Sequence, residues 1–417
     1  MLRGRRYAIS YLGAALAVSG LWGQQNSGAA DRMAPLTRAA QIELEREQKA
    51  TELRPDQPTG IEHILNVVKR EKVIERITAG VAGFRVHLGG LITGSGFAAG
   101  PEYYRRDLLH GQARLRASAR VSLRKFYLFD AGFNLPALAD GHAFLDLYAV
   151  HRDYPHIDYY GPGPNSSERG RSGFQLEDTS FDARPGIMPI RRLRIGGIGR
   201  YYLVNISRGK DPRFVSTDRI YTEQTTPGIR FQSNYLAGGG YAQYDWRDNP
   251  GGPRRGGNYY GSFSSYSDTR WGLYSFDRVR LEAQQYFSFF NQRRVIAVRA
   301  RIEATDPHSG QAVPFYLQPT LGGSEDLRGF RPFRFYDNDS VLAQAEYRWE
   351  VFSGLDMALF ADAGRVFHDW RGINFRDPEI DGGFGFRFNV RNDVFLRIDT
   401  GFSREGFQVW FKFNNVF

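Results

Sequence analysis

Strict alternation of apolar and polar residues is the feature that most restricts the fold of this chain. It runs from about Gly83 to the C-terminal Phe417. A period of two places successive side chains on opposite faces of a β-strand. In residues 112–124 alanine, valine and leucine occupy one parity, while arginine, serine and glutamine occupy the other. Few soluble sheets place arginine at every second position of a strand. The pattern therefore predicts an all-β transmembrane barrel, with lipid outside and water in the lumen.

The alternation recurs often enough to estimate the size of the barrel. It is clear in residues 278–287, 296–303, 341–351, 355–362 and 384–391. About ten residues per tilted strand, with connections of similar length, predict about sixteen antiparallel strands. The same count is also compatible with fourteen or eighteen strands. Turn-forming residues crowd the predicted connections at 159–173, 248–257, 306–314 and 324–340.

The end of the chain indicates where such a barrel would reside. Apolar residues at 407, 409, 411 and 413 lead on one parity to Phe417. An alternating last strand that ends in phenylalanine is typical of bacterial outer-membrane barrels, where it carries the assembly signal. The sequence therefore predicts a bacterial outer-membrane location, contact with outer-membrane lipid, and Phe417 as the C-terminal signal.

Composition agrees with a barrel and excludes several other classes. The mean hydropathy is −0.46 and 15% of residues are aromatic. Beyond the N-terminus no stretch approaches the roughly 18–20 apolar residues of a membrane-spanning helix. The absence of cysteine excludes disulfides and thiolate metal sites. The net charge of +10 is not concentrated in blocks, so we interpret it as a polar lumen and not as a nucleic-acid surface.

Residues 1–80 differ from the rest of the chain. Residues 1–23 have the form of a signal peptide, with Arg3, Arg5 and Arg6 before a short apolar segment. The alternative is an N-terminal anchor, although the apolar segment is short for a span. Residues 24–80 are rich in charged and aliphatic residues with helical spacing, which predicts a short helical periplasmic extension. Residues 81–417 then form the barrel.

One motif in the last third of the barrel points to a known family. Leu327-Arg328-Gly329-Phe330 follows a Leu-Gly-Gly segment at 321–323. It resembles the VRGF signature of the BamA/TamA assembly barrels, the bacterial surface antigen family. The resemblance implies that these residues form the tip of a long extracellular loop that folds back into the lumen.

Two acidic residues match the wall segments of the same family. Glu346 lies in Ala-Glu-Tyr-Arg, and Asp362 lies in Phe-Ala-Asp-Ala-Gly. The resemblance implies that both are partners of Arg328 on the barrel wall. The alternation alone already places both side chains on the lumen face, so the two arguments agree.

A third motif lies in the middle of the barrel. It is similar to the D-x-R-D-N-P strand-and-turn of the family, and Tyr160 begins a glycine-rich turn that resembles another family segment more weakly. Asp245 and Arg247 share one parity, so both are expected to face the lumen. The motif comprises Asp245, Trp246, Arg247, Asp248, Asn249 and Pro250.

The resemblance covers the barrel and implies a protein insertion, assembly or translocation barrel without a cofactor. Family members usually carry periplasmic POTRA domains, and residues 24–80 leave no room for a full copy. We therefore expect client outer-membrane proteins and a separate periplasmic partner. In the family the seam between first and last strands opens, and the expected first strand, 83–91, is rich in glycine. The alternative function is a passive or gated pore that favours anions.

Catalytic motifs are not evident in the sequence. We find no nucleophile elbow, P-loop or HExxH motif. His151 and His156 flank a charged segment that is a weak candidate for a surface metal site, but a histidine pair on a loop is more often solvated. We therefore expect no enzyme activity, no metal and no nucleic-acid partner.

Overall fold

The computed structural model describes Ile42 and residues 81–373, 376–390 and 392–413. The predictions for the signal peptide at 1–23, for the helical extension at 24–80 (Ile42 excepted) and for Phe417 lie outside these residues. All that follows concerns the described barrel.

Eighteen β-strands follow one another in the described chain. Their lengths range from two to seventeen residues. They are β1 Phe84–Gly89, β2 Ala98–Leu108, β3 Ala113–Ser122, β4 Tyr127–Leu138, β5 Ala143–Tyr159, β6 Ser172–Ile187, β7 Leu193–Arg208, β8 Tyr235–Asp245, β9 Gly256–Asp268, β10 Phe276–Phe289, β11 Arg294–Pro307, β12 Thr320–Leu321, β13 Phe335–Tyr336, β14 Asp339–Phe352, β15 Leu355–Phe367, β16 Glu379–Val390, β17 Asp393–Ser403 and β18 Gly406–Phe413. Four short helical turns lie between strands: α1 Thr217–Ile220 and the 3₁₀ turns Glu168–Gly170, Phe315–Leu317 and Trp370–Gly372.

Sixteen of these strands form one antiparallel sheet in sequence order, from β1 through β11 and then from β14 to β18. The sheet curves into a nearly closed barrel, and Gly89 at the end of β1 comes beside Phe413 of β18. The remaining strands, β12 and β13, pair with each other within the β11–β14 connection. The predicted antiparallel barrel of about sixteen strands is confirmed.

The two faces of the wall differ as the alternation predicts. Leu359 and Phe411 are 53% and 63% exposed on the outer face, whereas Glu346 and Asp362 are buried inside. Apolar side chains exposed along a whole wall are compatible with hydrocarbon, because lipid provides no competing polar contact. No helix in the described ranges is long and apolar enough to cross a bilayer.

The connections at the two ends of the barrel differ in length. One end has tight turns, such as those at 109–112, 139–142 and 353–354, while the other has loops at 160–171, 209–234 and 308–338. Short turns face the periplasm in barrels of this kind, so the long loops mark the extracellular end. The 209–234 loop was not among the predicted connections, although Pro212 and Pro227-Gly228 are turn signals within it.

The long loops fill much of the upper lumen. Phe315 of the 308–338 loop stacks edge-on against Tyr159 of β5 and Phe174 of β6, with ring centroids 5.1 and 4.8 Å apart. These rings belong to a buried aromatic cluster that also includes Tyr202 and Tyr235. The lumen is therefore a packed interior at this level and not an open channel.

Candidate functional site

The 308–338 loop turns back into the barrel at a pair of glycines. Gly322 and Gly323 have φ angles of +114° and +105°, a backbone conformation that side chains disfavour. A Cβ on Gly322 would lie 2.5 Å from the carbonyl oxygen of Arg331. The Leu-Gly-Gly segment therefore permits the tight reversal that sends the next residues into the lumen.

Arg328 lies at the deepest part of this loop and is 1% exposed. Its Nε and Nη2 donate to the two oxygens of Asp362 at 2.8 and 2.7 Å, and its Nη1 donates to Glu346. The guanidinium carbon lies 3.6 Å from the ring centroid of Phe360. The structure thus brings together the three charged residues that the family resemblance grouped, in a planar bidentate geometry that arginine favours.

Further arginines on the wall share the same carboxylates. Glu346 also accepts from Arg348 at 2.6 Å and from Arg387 at 2.9 Å. Asp399 of β17 pairs with Arg387 and, at 2.9 Å, with Arg397. Alternation puts Arg387 on the lumen face but does not predict this network, because parity gives the face of a strand and not its register with the next.

The backbone of the loop tip is held as closely as its side chain. Trp410 of β18 donates its indole N–H to the carbonyl oxygen of Arg328 at 2.7 Å, and Ser403 of β17 donates to Gly329 at 2.8 Å. A Cβ on Gly329 would lie 2.6 Å from the Cβ of Asp381. The glycine of the motif is therefore required by close approach to the wall.

The two apolar residues of the motif anchor the tip on its other side. Leu327 and Phe330 are fully buried in a cluster with Leu321, Phe335 and Leu342. The rings of Phe330 and Phe335 meet edge to face at 5.4 Å. Burial of two large side chains adds several kcal/mol, on the order of 1.5–3 each, to the ionic contacts of the tip.

Asp381 is an unusual neighbour of this site. It stands directly opposite Asp362 in the β15–β16 ladder and is 3% exposed. Its side chain lies against Gly329 of the loop tip, and no lysine or arginine in the described ranges forms an ion pair with it. Two acids face one another here, yet Arg328 is hydrogen-bonded to Asp362 alone of the pair.

The residues just before the motif attach the loop to further strands. Asp326 pairs with Arg301 of β11 at 2.9 Å, and Glu325 accepts from Lys412 of β18 at 2.6 Å. Burial raises the pKa of Asp326, and the positive charge of Arg301 offsets this only in part. Partial desolvation opposes ionisation of Glu325, whose side chain is 49% exposed, but the charge of Lys412 outweighs it and the pKa is lowered. The loop thus contacts strands on both sides of the tip.

The strand-and-turn motif lies elsewhere, at the end with the short turns. Arg247 donates to both oxygens of Asp245 at 2.9 and 2.7 Å. Asp248 accepts from the backbone N–H of Asn249 at 2.8 Å, and Pro250 leads into a tight glycine pair. The structure does not bring these residues to Arg328.

This turn instead reaches across to another turn of the barrel. Asn249 donates its amide to the carbonyl oxygen of Asn392 and to the carboxylate of Asp393, both at 2.9 Å. The backbone N–H of Val394 donates to Gly251 at 2.9 Å. A Cβ on Gly251 would lie 2.3 Å from Asp393. The turns after β8 and β16 are therefore in direct contact, and we call this contact the rim bridge.

Three other predicted features lie away from the loop tip. His151 and His156 lie in strand β5 and not on a loop, and their partners differ, Thr179 for the first and Asp158 for the second. No cluster of potential metal ligands occurs in the described ranges. The expected first strand, 83–91, is shorter than predicted, because its last residues form a turn closed by Ser95 N–H to Ile92. The weaker Tyr160 turn joins the long loop through Gly163 N–H to Tyr336 at 2.7 Å.

Comparison with known proteins gives a family for this architecture. Residues 200–396 match the Omp85 superfamily domain. BamA from Haemophilus ducreyi lacking POTRA domains 1–3 has a similar fold, with a TM-score of 0.60 and 14% identity over 79% of this chain and 70% of that chain. CdiB from Escherichia coli is similar with a TM-score of 0.52 and 14% identity, over 80% of this chain and 62% of that chain. A search of curated proteins found no match.

The barrel and its inward loop define a class of transmembrane β-barrels whose lumen is occupied by their own chain. Within that class, residues 200–396 match the Omp85 superfamily domain, and the sixteen-stranded barrel has a fold similar to that of BamA. The described residues contain no POTRA domain.

Proposed function

We propose that this protein is a bacterial outer-membrane barrel that inserts or translocates client proteins, without nucleotide or metal. The observation that carries the proposal is the position of the loop tip. Arg328 binds β14 and β15, and the carbonyl oxygens of Arg328 and Gly329 bind β18 and β17. The loop therefore contacts the strands that lead to the seam of the barrel.

The seam between β1 and β18 is the proposed site of action. Among the described residues, β1 comprises six residues and β18 eight. A client strand would add to the sheet by main-chain hydrogen bonds, the general mode of β-augmentation. The Omp85 match and the likeness of the barrel to BamA support this assignment. In this proposal the loop tip holds β14–β18 in one arrangement until a client binds.

A separate periplasmic protein completes the proposal. It would deliver clients in place of POTRA domains, which the described residues lack. The rim bridge lies at the end where such a partner would approach. Pull-down of the tagged protein from envelope extracts should recover a periplasmic protein, and repeated failure to recover one would remove this part of the proposal.

The function is tested by depleting the protein in its native host and measuring the outer-membrane proteome. We expect a selective fall in other β-barrels and accumulation of their unfolded precursors in the periplasm. A complementing plasmid that restores the barrels provides the control. An unchanged barrel inventory would refute a role in insertion.

The second candidate function is an anion-favouring pore. It is favoured by the arginines at 299, 301, 387 and 397, which lie on the lumen face. Guanidinium groups on a lumen wall lower the barrier for anions. Here, however, each of the four pairs with a carboxylate, which reduces this effect. Planar bilayers distinguish the two functions, since a pore should show stable anion-selective conductance, whereas the loop-filled lumen of an insertion barrel should conduct weakly and intermittently.

A further inference from the structure

A cavity of about 980 Å³ lies beside the end strands, and the function proposed above assigns it no ligand. Its lining comes from the β1–β2 connection, the β3–β4 turn, the last part of β5, Arg171, the first part of the 209–234 loop, the 308–338 loop and β18. All of these connections belong to the extracellular end of the barrel. The cavity therefore lies at the level of the outer leaflet.

The barrel wall is incomplete where this cavity meets β18. Strand β1 ends at Gly89, which lies beside Phe413, so residues 406–412 of β18 extend beyond it. In the part of the chain that the structure describes, no strand pairs with this edge of β18. Gln408 and Trp410 of the inner parity line the cavity, and so do the residues of the outer parity between them. The cavity thus extends from the lumen side of the wall to the lipid side.

Positive charge dominates the lining. Seven basic residues face three aspartates. Four of the basic side chains are ion-paired: Arg171 with Asp158 at 2.9 Å, Arg213 with Asp211 at 2.6 Å, Arg331 with Glu168 at 2.7 Å and Lys412 with Glu325 at 2.6 Å. The basic residues are Arg124, Lys125, Arg171, Lys210, Arg213, Arg331 and Lys412, and the acids are Asp153, Asp158 and Asp211.

Two lysines at the rim have no such partner. Lys125 and Lys210 are exposed, and among the described residues no carboxylate lies within 4 Å of either ammonium group. Their backbones are nevertheless fixed, Lys125 by a tight turn with a φ of +62° and Lys210 by a hydrogen bond from its N–H to Pro155 at 2.9 Å. The fold therefore holds two ammonium groups at one opening.

We propose that this cavity binds the phosphorylated headgroup of an outer-leaflet lipid. Phosphate oxygens are the acceptors that lysine and arginine pair with most strongly. The acyl chains would remain in the bilayer along Phe411 and Val409, which are 63% and 44% exposed on the outer face of β18. A free phosphate would not need this opening to the lipid side, and an unfolded client strand carries no phosphate for Lys125 and Lys210 to pair with.

The test uses the full chain in uncharged detergent micelles. Lipid A with two phosphates is titrated against the unaltered protein, Lys125→Ala/Lys210→Ala and the control Arg219→Ala/Arg230→Ala. The control removes two exposed charges from the same loop region outside the cavity. We expect the lysine variant to bind about thirtyfold more weakly, since each lysine near an anionic lipid surface contributes roughly a factor of five. The control should bind unchanged.

Further titrations distinguish a lipid phosphate from free phosphate, and a lipid ligand from a protein ligand. Dephosphorylated lipid A should bind weakly, and inorganic phosphate should fail to displace lipid A. Displacement by inorganic phosphate, or equal binding of the dephosphorylated lipid, would overturn the proposal. So would equal affinity of the two double variants, or competition by an unfolded barrel peptide. Heat-modifiable gel mobility confirms that both variants are folded, so each result bears on the site itself.

Discussion

At the scale of single residues, Arg328 holds the loop in the lumen through contacts of several kinds. Its side chain binds two buried carboxylates, its guanidinium stacks on Phe360, and its carbonyl oxygen accepts from Trp410. A buried pair of this kind contributes modestly to net stability, because desolvation offsets the attraction. Removal of one partner is costly, however, since the other charges remain buried. The ion pairs of Arg328 therefore determine where the loop docks more than they stabilise the barrel.

Replacement of Arg328 by alanine should release the loop. The change leaves Glu346 and Asp362 without this cation and should weaken docking by about 3–5 kcal/mol. Hydrogen exchange of residues 320–338 measures the release as faster exchange. Arg331→Ala in the same loop is the matched control, because its ion pair with Glu168 is partly exposed and worth about 1 kcal/mol or less. Equal exchange in the two variants would contradict an anchoring role for Arg328.

Asp362 and Asp381 face each other but should respond differently to substitution. Asp362→Asn removes the charge that Arg328 pairs with and should weaken docking by about 3 kcal/mol or more. Asp381→Asn removes a buried acid that pairs with no cation among the described residues, and lowers its repulsion with Asp362, so docking should be unchanged or firmer. Hydrogen exchange of residues 320–338 compares the two variants. A larger loss of protection in Asp381→Asn than in Asp362→Asn would show that this assignment is wrong.

At the scale of elements, the strands were predictable and the contacts between them were not. Alternation identifies the lumen face of β14 and β15, and with it the side of the wall on which Glu346 and Asp362 lie. Pairing of Arg387 with Asp399 depends on the register of β16 with β17, which parity does not specify. The loop 209–234 has no periodicity, and its position depends on packing against distant aromatic rings.

Gly329 gives a test of how closely the loop tip approaches the wall. In Gly329→Ala the added Cβ would lie 2.6 Å from Asp381 and 2.8 Å from the backbone of Phe402. The tip must then shift, at a cost of about 1–3 kcal/mol. Trypsin cleavage after Arg328 and Arg334 should become faster. Gly238→Ala on β8, where a Cβ meets open space, should leave cleavage unchanged, and equal rates in both variants would argue against the close approach.

The rim bridge is testable through one amide. Asn249→Ala removes two hydrogen bonds to the turn after β16 and should weaken the bridge by about 1–3 kcal/mol. The amide of Val394, which donates to Gly251, should then exchange faster with solvent. Asn205→Ala removes an exposed hydrogen bond to Glu177 and serves as the control. Unchanged exchange at Val394 would mean that the backbone contacts alone hold the two turns together.

At the scale of the whole molecule, the lumen is divided between two kinds of contact. Aromatic rings pack the long loop against β5–β9 on one side, and ion pairs fasten its tip to β14–β18 on the other. The loop therefore spans the interior and links opposite parts of the wall. Movement of the tip would change the forces on the end strands without a change in the aromatic half.

The rim bridge has a mechanical consequence for any such movement. It ties the turn after β8 to the turn after β16, so the periplasmic edge of the barrel resists widening between these strands. At the extracellular edge, Arg334 of the 308–338 loop ties the β17–β18 turn to the 160–171 loop, through Glu405 at 2.9 Å and Ser166 at 2.9 Å. The seam itself has no such tie among the described residues, since β1 ends at Gly89 well below the upper part of β18 and no strand pairs with that edge. Strain on the wall would therefore open it first at the seam above Gly89, with the periplasmic rim as the fulcrum.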